Sequence, residues 1–245
     1  MQGNHSMAEG TTHTVFLTGS TGYMGSRLGR LLLSRGHYVK ALARFNTGTL
    51  FNLPRDCHPV FGDAVNGGYE SHVAPADTFV HLVGVSHPSP AKAALFRTVD
   101  LKSVETAVHA AQSADVKHFV YVSVAHPAPM MKAYIAVREE CEQIIRASGL
   151  NATILRPWYV LGPGHRWPYA LLPMYWLMER IPAAREGASR LGLVTLEQML
   201  TALVAAVESP CEGTRVLDVR GIRKASMESA SPVSSEVEFH NVGSR

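Results

Sequence analysis

Short apolar runs alternate with longer stretches of helical periodicity along most of the chain, the pattern of parallel strands joined by crossover helices. The spacing predicts strands near 14–18, 38–43, 58–61, 78–83, 118–123 and 151–155, and helices near 22–35, 90–112 and 131–148, with an irregular connection through 64–76. Val80-His81-Leu82-Val83 and Phe119-Val120-Tyr121-Val122 are almost continuously apolar, as strands covered on both faces must be. Together these elements predict one α/β domain over 13–222, a doubly wound parallel sheet.

Beyond Arg156-Pro157 the texture changes. Trp158, Tyr159, Trp167, Tyr169, Tyr175 and Trp176 crowd into a proline-punctuated stretch near 158–188, which reads as a small C-terminal insert on the substrate side of the domain. Helical spacing resumes after Thr195-Leu196-Glu197-Gln198, a capping-box sequence, with Met199, Leu200, Leu203, Val204 and Val207 on one face. A last strand is expected over Thr214 to Val219 and a loose, Ser- and Glu-rich tail from 224 to 245. Residues 1–7 lack an apolar segment and are expected to be a leader outside the fold, with the natural start at Met7.

Composition narrows the classes. With 245 residues, 46% hydrophobic and 18% charged, one large core is feasible and a second full domain is not expected. A net charge of +3 with no Lys/Arg stripe gives no case for nucleic acid, and no apolar run approaches the length of a membrane span. Cys57, Cys141 and Cys211 are widely spaced and odd in number, which fits neither a disulfide framework nor a metal site and favours a reducing cytoplasm.

The chemistry begins at Val15-Phe16-Leu17-Thr18-Gly19-Ser20-Thr21-Gly22-Tyr23-Met24-Gly25, an apolar strand running through three glycines into an amphipathic helix. Gly19 permits the tight turn, Gly22 lets a pyrophosphate approach the main chain, and Gly25 allows close helix-on-strand packing. The helix N-terminus adds N–H donors and partial positive charge, so Gly19 to Gly25 are expected to bind a dinucleotide. In such a fold the end of the second strand meets the adenosine ribose. An acidic residue there would bond the hydroxyls of NAD; Arg44 can instead pair with a 2′-phosphate, so NADP(H) is expected, a solvated strand-end arginine being the other reading. Asp63, with Ala64, follows the third strand and can accept from the adenine amino group or stabilise its own turn. Val83 and Gly84 end the fourth strand beside the nucleoside, and His81 reads as a hydrogen-bonded core histidine.

Four segments resemble the extended and atypical short-chain dehydrogenase/reductases: Thr18 to Gly25 with Gly62-Asp63, Val116 to Val124, Tyr134-Ile135-Ala136-Val137-Arg138, and Leu155-Arg156-Pro157. The closest flavour is the atypical branch with NmrA-like proteins, flavin or quinone reductase-like proteins and the accessory subunit of respiratory complex I. The resemblance implies a Rossmann domain with coenzyme across the carboxyl ends of the strands and chemistry from Ser, Tyr and Lys, the last two four residues apart on one helix. Tyr134 matches the tyrosine, Arg138 stands where lysine is expected, and Ser123 lies one residue before the serine position, which holds Val124. The implied roles are acid/base for Tyr134, ribose and charge for Arg138, and substrate orientation for Ser123; stacking near the nicotinamide is the other reading of Tyr134. Pro157 and Trp158 fall where the family's backbone meets the nicotinamide carboxamide. His126, Trp158, Tyr159, His165 and Trp167 are candidates to border a substrate pocket, although the aromatic insert can equally just close the core.

Three functions follow: an NADP(H)-dependent reductase of a quinone, flavin or carbonyl; a sugar-nucleotide epimerase or dehydratase; and an NADP(H)-sensing regulator or accessory subunit without turnover. A small-molecule substrate is expected, and helices 90–112 and 131–148 are a possible homodimer contact by analogy.

Overall fold

The computed structural model describes residues 11–45, 52–128, 130–163 and 192–230. The strands are β1 (Thr14–Thr18), β2 (Tyr38–Ala43), β3 (His58–Phe61), β4 (Thr78–His81), β5 (His118–Val122), β6 (Ala152–Leu155), β7 (Tyr159–Leu161), β8 (Leu193–Thr195) and β9 (Thr214–Leu217); the long helices are α1 (Gly25–Ser34), α2 (Lys102–Ser113), α3 (Lys132–Ala147), α4 (Leu196–Glu208) and α5 (Val219–Ala230). Seven strands form one parallel sheet in the order β3-β2-β1-β4-β5-β6-β9, and β7 pairs with β8 in a separate parallel ribbon.

Strand alternation divides the apolar residues between two cores. Phe16, Phe79, Phe119 and Tyr121 face one side with Val104, Val108 and Ile145 of α2 and α3. Val15, Leu17, Val80 and Val120 face the other with Leu28 and Leu32 of α1 and Met199 and Leu203 of α4. A row of rings crosses the first core, Phe16 to Phe79 at 5.1 Å and Phe79 to Phe119 at 5.3 Å. Each such fully buried side chain contributes about 1.5–3 kcal/mol, so residues on this row fix the register of β1, β4 and β5.

His81 is the core histidine the sequence predicts. Its ring contacts Thr18 Oγ1 at 2.9 Å and Ser103 Oγ at 3.2 Å. Burial, and secondarily the Arg138 charge, push it down to about 3, so it stays neutral. The capping box also forms: the Gln198 N–H donates to Thr195 Oγ1 at 3.1 Å and the Thr195 N–H to Gln198 Oε1 at 3.0 Å.

Three elements differ from expectation. Helix 90–112 is not continuous: a 3-10 turn (Pro90–Lys92), a single α turn (Ala93–Leu95) and a π-helical turn (Phe96–Leu101) precede α2. The fourth strand stops at His81 rather than 83, because Leu82 to Gly84 open away to line a cleft. The last strand stops at Leu217, where Asp218 Oδ1 accepts the Gly221 N–H at 2.8 Å and α5 begins, so 224–230 are helical where a loose tail was expected. Val219 and Ile222 are fully buried against the second core and Arg223 donates to the Leu193 carbonyl at 2.6 Å, enough to dock a helix of otherwise polar composition. Residues 1–7 and 231–245 lie outside the described residues.

Candidate coenzyme site

The order of the sheet reverses between β1 and β4, and the crevice beyond their carboxyl ends is where a doubly wound sheet binds ligands. The glycine turn sits at that point. Gly19 has φ +71°, a conformation L side chains rarely adopt, and the Gly22 N–H donates to its carbonyl at 3.0 Å. A Cβ on Gly25 would overlap the Gly19 carbonyl oxygen and lie 2.9 Å from Ser20 Cα, so the start of α1 packs directly on the turn. No acidic residue occupies the first turn of α1, which leaves its positive end uncompensated.

Not every residue of the motif faces the crevice. Gly19, Thr21 and Gly22 do, whereas Ser20 is buried and donates to the Leu42 carbonyl at 2.6 Å, tying the turn to β2. Tyr23 turns aside: the Arg27 guanidinium lies 4.4 Å from its ring centroid, and a Cβ on Gly162 would overlap its hydroxyl. Met24 packs on the second core. Ser20, Tyr23 and Met24 therefore shape the cradle through their packing.

The crevice has a volume of about 550 Å³. Arg44 from the end of β2, Asp63 and Ala64 after β3, and Val83 and Gly84 after β4 line it, together with Asn66, Thr98 and Val99, which the sequence did not single out. Asp63 serves its own turn, accepting from the Val65 N–H at 2.7 Å and the Asn66 N–H at 3.1 Å. Burial opposes its ionisation, but those donors and the nearby Arg44 charge outweigh it and hold the carboxyl below its usual range. Glycines at 19 and 22 that leave the main chain open, a helix N-terminus with no side-chain cap or first-turn acid, and a strand-end arginine fit a phosphate-bearing dinucleotide.

At the carboxyl end of β5 the arrangement departs from the motif. Arg138, only 5% exposed, does not open onto the crevice. Its Nη1 donates to the Tyr121 hydroxyl at 2.8 Å and the Val122 carbonyl at 3.1 Å, and its Nη2 pairs with Asp100 Oδ1 at 2.5 Å. Arg138, expected to hold ribose hydroxyls, here forms a buried ion pair with Asp100. Tyr134 lies above it, its ring centroid 5.1 Å from the guanidinium carbon and 5.0 Å from the Phe96 ring.

A second polar cluster joins α3 to the ends of β5 and β6. Glu142, 3% exposed in its side chain, accepts from Arg156 Nε at 2.8 Å and again from Arg156 Nη2, and contacts His126 Nε2 at 3.3 Å. His126 Nδ1 lies 3.0 Å from Glu139. His126, expected at a pocket rim, is thereby committed to two carboxylates, and Ser123 is buried beside Glu142. Burial alone would raise the Glu142 carboxyl, but the His126, Arg156 and Ser123 side chains bring it down to about 2 from an ordinary 4.5. A depressed carboxyl adds stability above its unfolded value that is lost as pH falls through the folded one. We therefore expect about 3 kcal/mol to disappear as pH drops from about 4.5 toward about 2, and Glu142→Gln to flatten that part of a urea-midpoint-against-pH curve. Pro157 is buried and its carbonyl accepts from Ala125; Trp158 and Tyr159 are half-buried with rings 5.6 Å apart. His165 and Trp167 lie outside the described residues. Among the described residues no cluster of His, Cys, Asp and Glu could hold a metal, and no helix is long and apolar enough to cross a membrane.

A parallel sheet in this order with a glycine cradle at its switch point defines a Rossmann dinucleotide-binding fold. The family model described as NAD(P)H-binding matches residues 19–166, and the chain belongs to that family. It is 27% identical over 218 residues to a ceramide reductase of Caulobacter vibrioides, covering 87% of this chain and 67% of that protein. It is 24% identical over 168 residues to a 4-hydroxy-2-methyl-3-oxo-4-farnesyl-3,4-dihydroquinoline-1-oxide ketoreductase of Stigmatella aurantiaca, covering 60% of this chain and half, 50%, of that one. Among solved structures, the Bordetella bronchiseptica enzyme WbmH in complex with NAD+ superposes with a TM-score of 0.64 at 23% identity, over 92% of this chain and 84% of that one, a likeness of fold.

Proposed function

We propose that the protein is an NADP(H)-dependent oxidoreductase that reduces a carbonyl group on a lipophilic small molecule. The observation that carries this reading is the glycine cradle opening onto a crevice whose β2 end is walled by Arg44 rather than by a carboxylate. Gly19 and Gly22 would receive the pyrophosphate, Arg44 the 2′-phosphate, and the Gly84 side of the crevice the nicotinamide half. Bound there, the reduced coenzyme supplies a hydride. This chain's own share is to exclude water with Trp158 and Tyr159 and to deliver a proton from the Tyr134 hydroxyl. Ser123 is a weaker participant, because it is buried beside an ionised Glu142. Both relatives named above are reductases by name, one of a ceramide and one of a farnesylated molecule, which supports a substrate with an apolar chain.

A second reading, coenzyme binding without turnover, is favoured by the sealed Arg138. NADPH oxidation measured against a panel of long-chain ketones, quinones and flavins separates the two. The expected result is turnover with a ketone that falls about 100-fold or more in Tyr134→Phe; bound NADPH that no acceptor oxidises would overturn the reductase reading. Residence in the cytoplasm belongs to the same proposal. A homodimer through α2 and α3 would be a polar one, since Lys102, Glu105, His109, Gln143 and Arg146 point outward there.

A further inference from the structure

Beneath Tyr134 the fold places a cation together with its anion. Asp100, fully buried on the π-helical turn Phe96–Leu101, reaches Arg138 across the packed faces of two helices. The same carboxylate accepts from the Val85 N–H at 3.3 Å, just past the crevice wall. Gly84 carries no side chain where a Cβ would overlap Arg138 Nη2 and lie 2.9 Å from Asp100 Oδ1. Segments after β4, from the π turn, from β5 and from α3 therefore all close on one ion pair.

A lysine alone in the position of Arg138 would put net positive charge under the phenol and draw it toward phenolate. A pair of opposite charges 2.5 Å apart presents a much weaker field to a ring about 5 Å away. We propose that Asp100 and Arg138 are positioning residues that cancel each other's charge to keep Tyr134 a phenol, so that Tyr134 gives a proton to a carbonyl oxygen instead of acting as a base. The proposal deepens the carbonyl-reductase reading and rests on it. The step balances: the carbonyl carbon takes the hydride of the reduced coenzyme, its oxygen takes the Tyr134 proton, and water returns a proton to the phenolate.

The surroundings agree. Burial pushes the Tyr134 phenol up; the Arg138 charge and a hydrogen bond from its guanidinium pull it down, and the Asp100 charge opposes them. The remaining groups facing the pair are Tyr121 of β5 and Cys141 of α3, both pushed up by burial and so protonated, and His81 of β4, held neutral. Phe96 packs on the ring without charge.

The test is an ultraviolet phenolate titration of the coenzyme-free full chain, taken as the difference between a protein and its Tyr134→Phe counterpart so that Tyr134 alone is read. Asp100→Asn leaves Arg138 uncompensated and is expected to lower the Tyr134 midpoint by about one to three pH units. The alkaline limb of the reduction-rate profile should move down with it. Asp100→Asn combined with Arg138→Met removes both charges and is expected to hold the midpoint within about half a unit of wild type. A midpoint unmoved or raised in Asp100→Asn, or raised by more than about a unit in the double variant, overturns the proposal. Should Asp100→Asn not fold, Arg138→Met decides in its place: it leaves the Asp100 carboxylate uncompensated and is expected to raise the Tyr134 midpoint, and an unmoved or lowered midpoint overturns the proposal. Because the titration needs no turnover, a failure of the reductase reading shows separately, as the absence of any oxidised NADPH.

Discussion

Gly25→Ala is expected to abolish measurable coenzyme binding, a loss of at least about 100-fold, or about 2.7 kcal/mol. The new methyl would overlap the Gly19 carbonyl oxygen and approach Gly19 C to 2.8 Å and Ser20 Cα to 2.9 Å, all backbone atoms that no side-chain rotation can move. Relief requires α1 to withdraw from the turn, which separates the helix N-terminus from the place the phosphates would occupy. The accompanying loss of fold stability should be about 1–3 kcal/mol, the usual cost of overpacking. Gly36→Ala is the control. Its φ of +86° makes it strained too, but a Cβ there meets nothing within 4 Å, so stability should fall while binding stays unchanged. Calorimetric titration with NADPH and a thermal melt on each variant check both halves, and a Gly25→Ala protein that binds normally would show that the turn is not the phosphate cradle.

Arg138→Met should cost about 3–5 kcal/mol of folding stability, because it strands the Asp100 carboxylate at zero exposure with no cation. Removing both charges should be far milder, since a buried ion pair replaced by neutral groups of similar volume is often tolerated. The double variant Asp100→Asn/Arg138→Met is thus expected to be more stable than Arg138→Met alone. Urea midpoints across this cycle check it; equal losses in the single and double variants would mean that Arg138 acts by packing and not by charge.

The central strands β1, β4, β5 and β6 were legible because each is a short run buried almost throughout, and the cradle because its constraints are local to Gly19, Gly22 and Gly25. What escaped depends on distant partners. Asp100 and Arg138 are separated by 38 residues, and helical periodicity treats a π turn as ordinary helix. A signal was nevertheless present: an acidic residue interrupts the stripe Phe96, Asp100, Val104, Ala107, and a basic one the stripe Ile135, Arg138, Cys141, Ile145. Two opposite charges on two apolar faces require each other once those faces meet. The Glu142, Arg156 and His126 cluster escaped for the same reason. In the last helix, two apolar anchors sufficed where composition alone suggested a tail.

Coenzyme binding at the glycine cradle is tested most directly by one titration. Calorimetry of the folded wild-type chain with NADPH, NADH and their oxidised forms is predicted to show single-site binding, tighter for NADP(H) than for NAD(H) by about tenfold or more, with Arg44→Ala erasing the difference. No heat of binding from any of the four, in protein whose circular dichroism shows it folded, would contradict it.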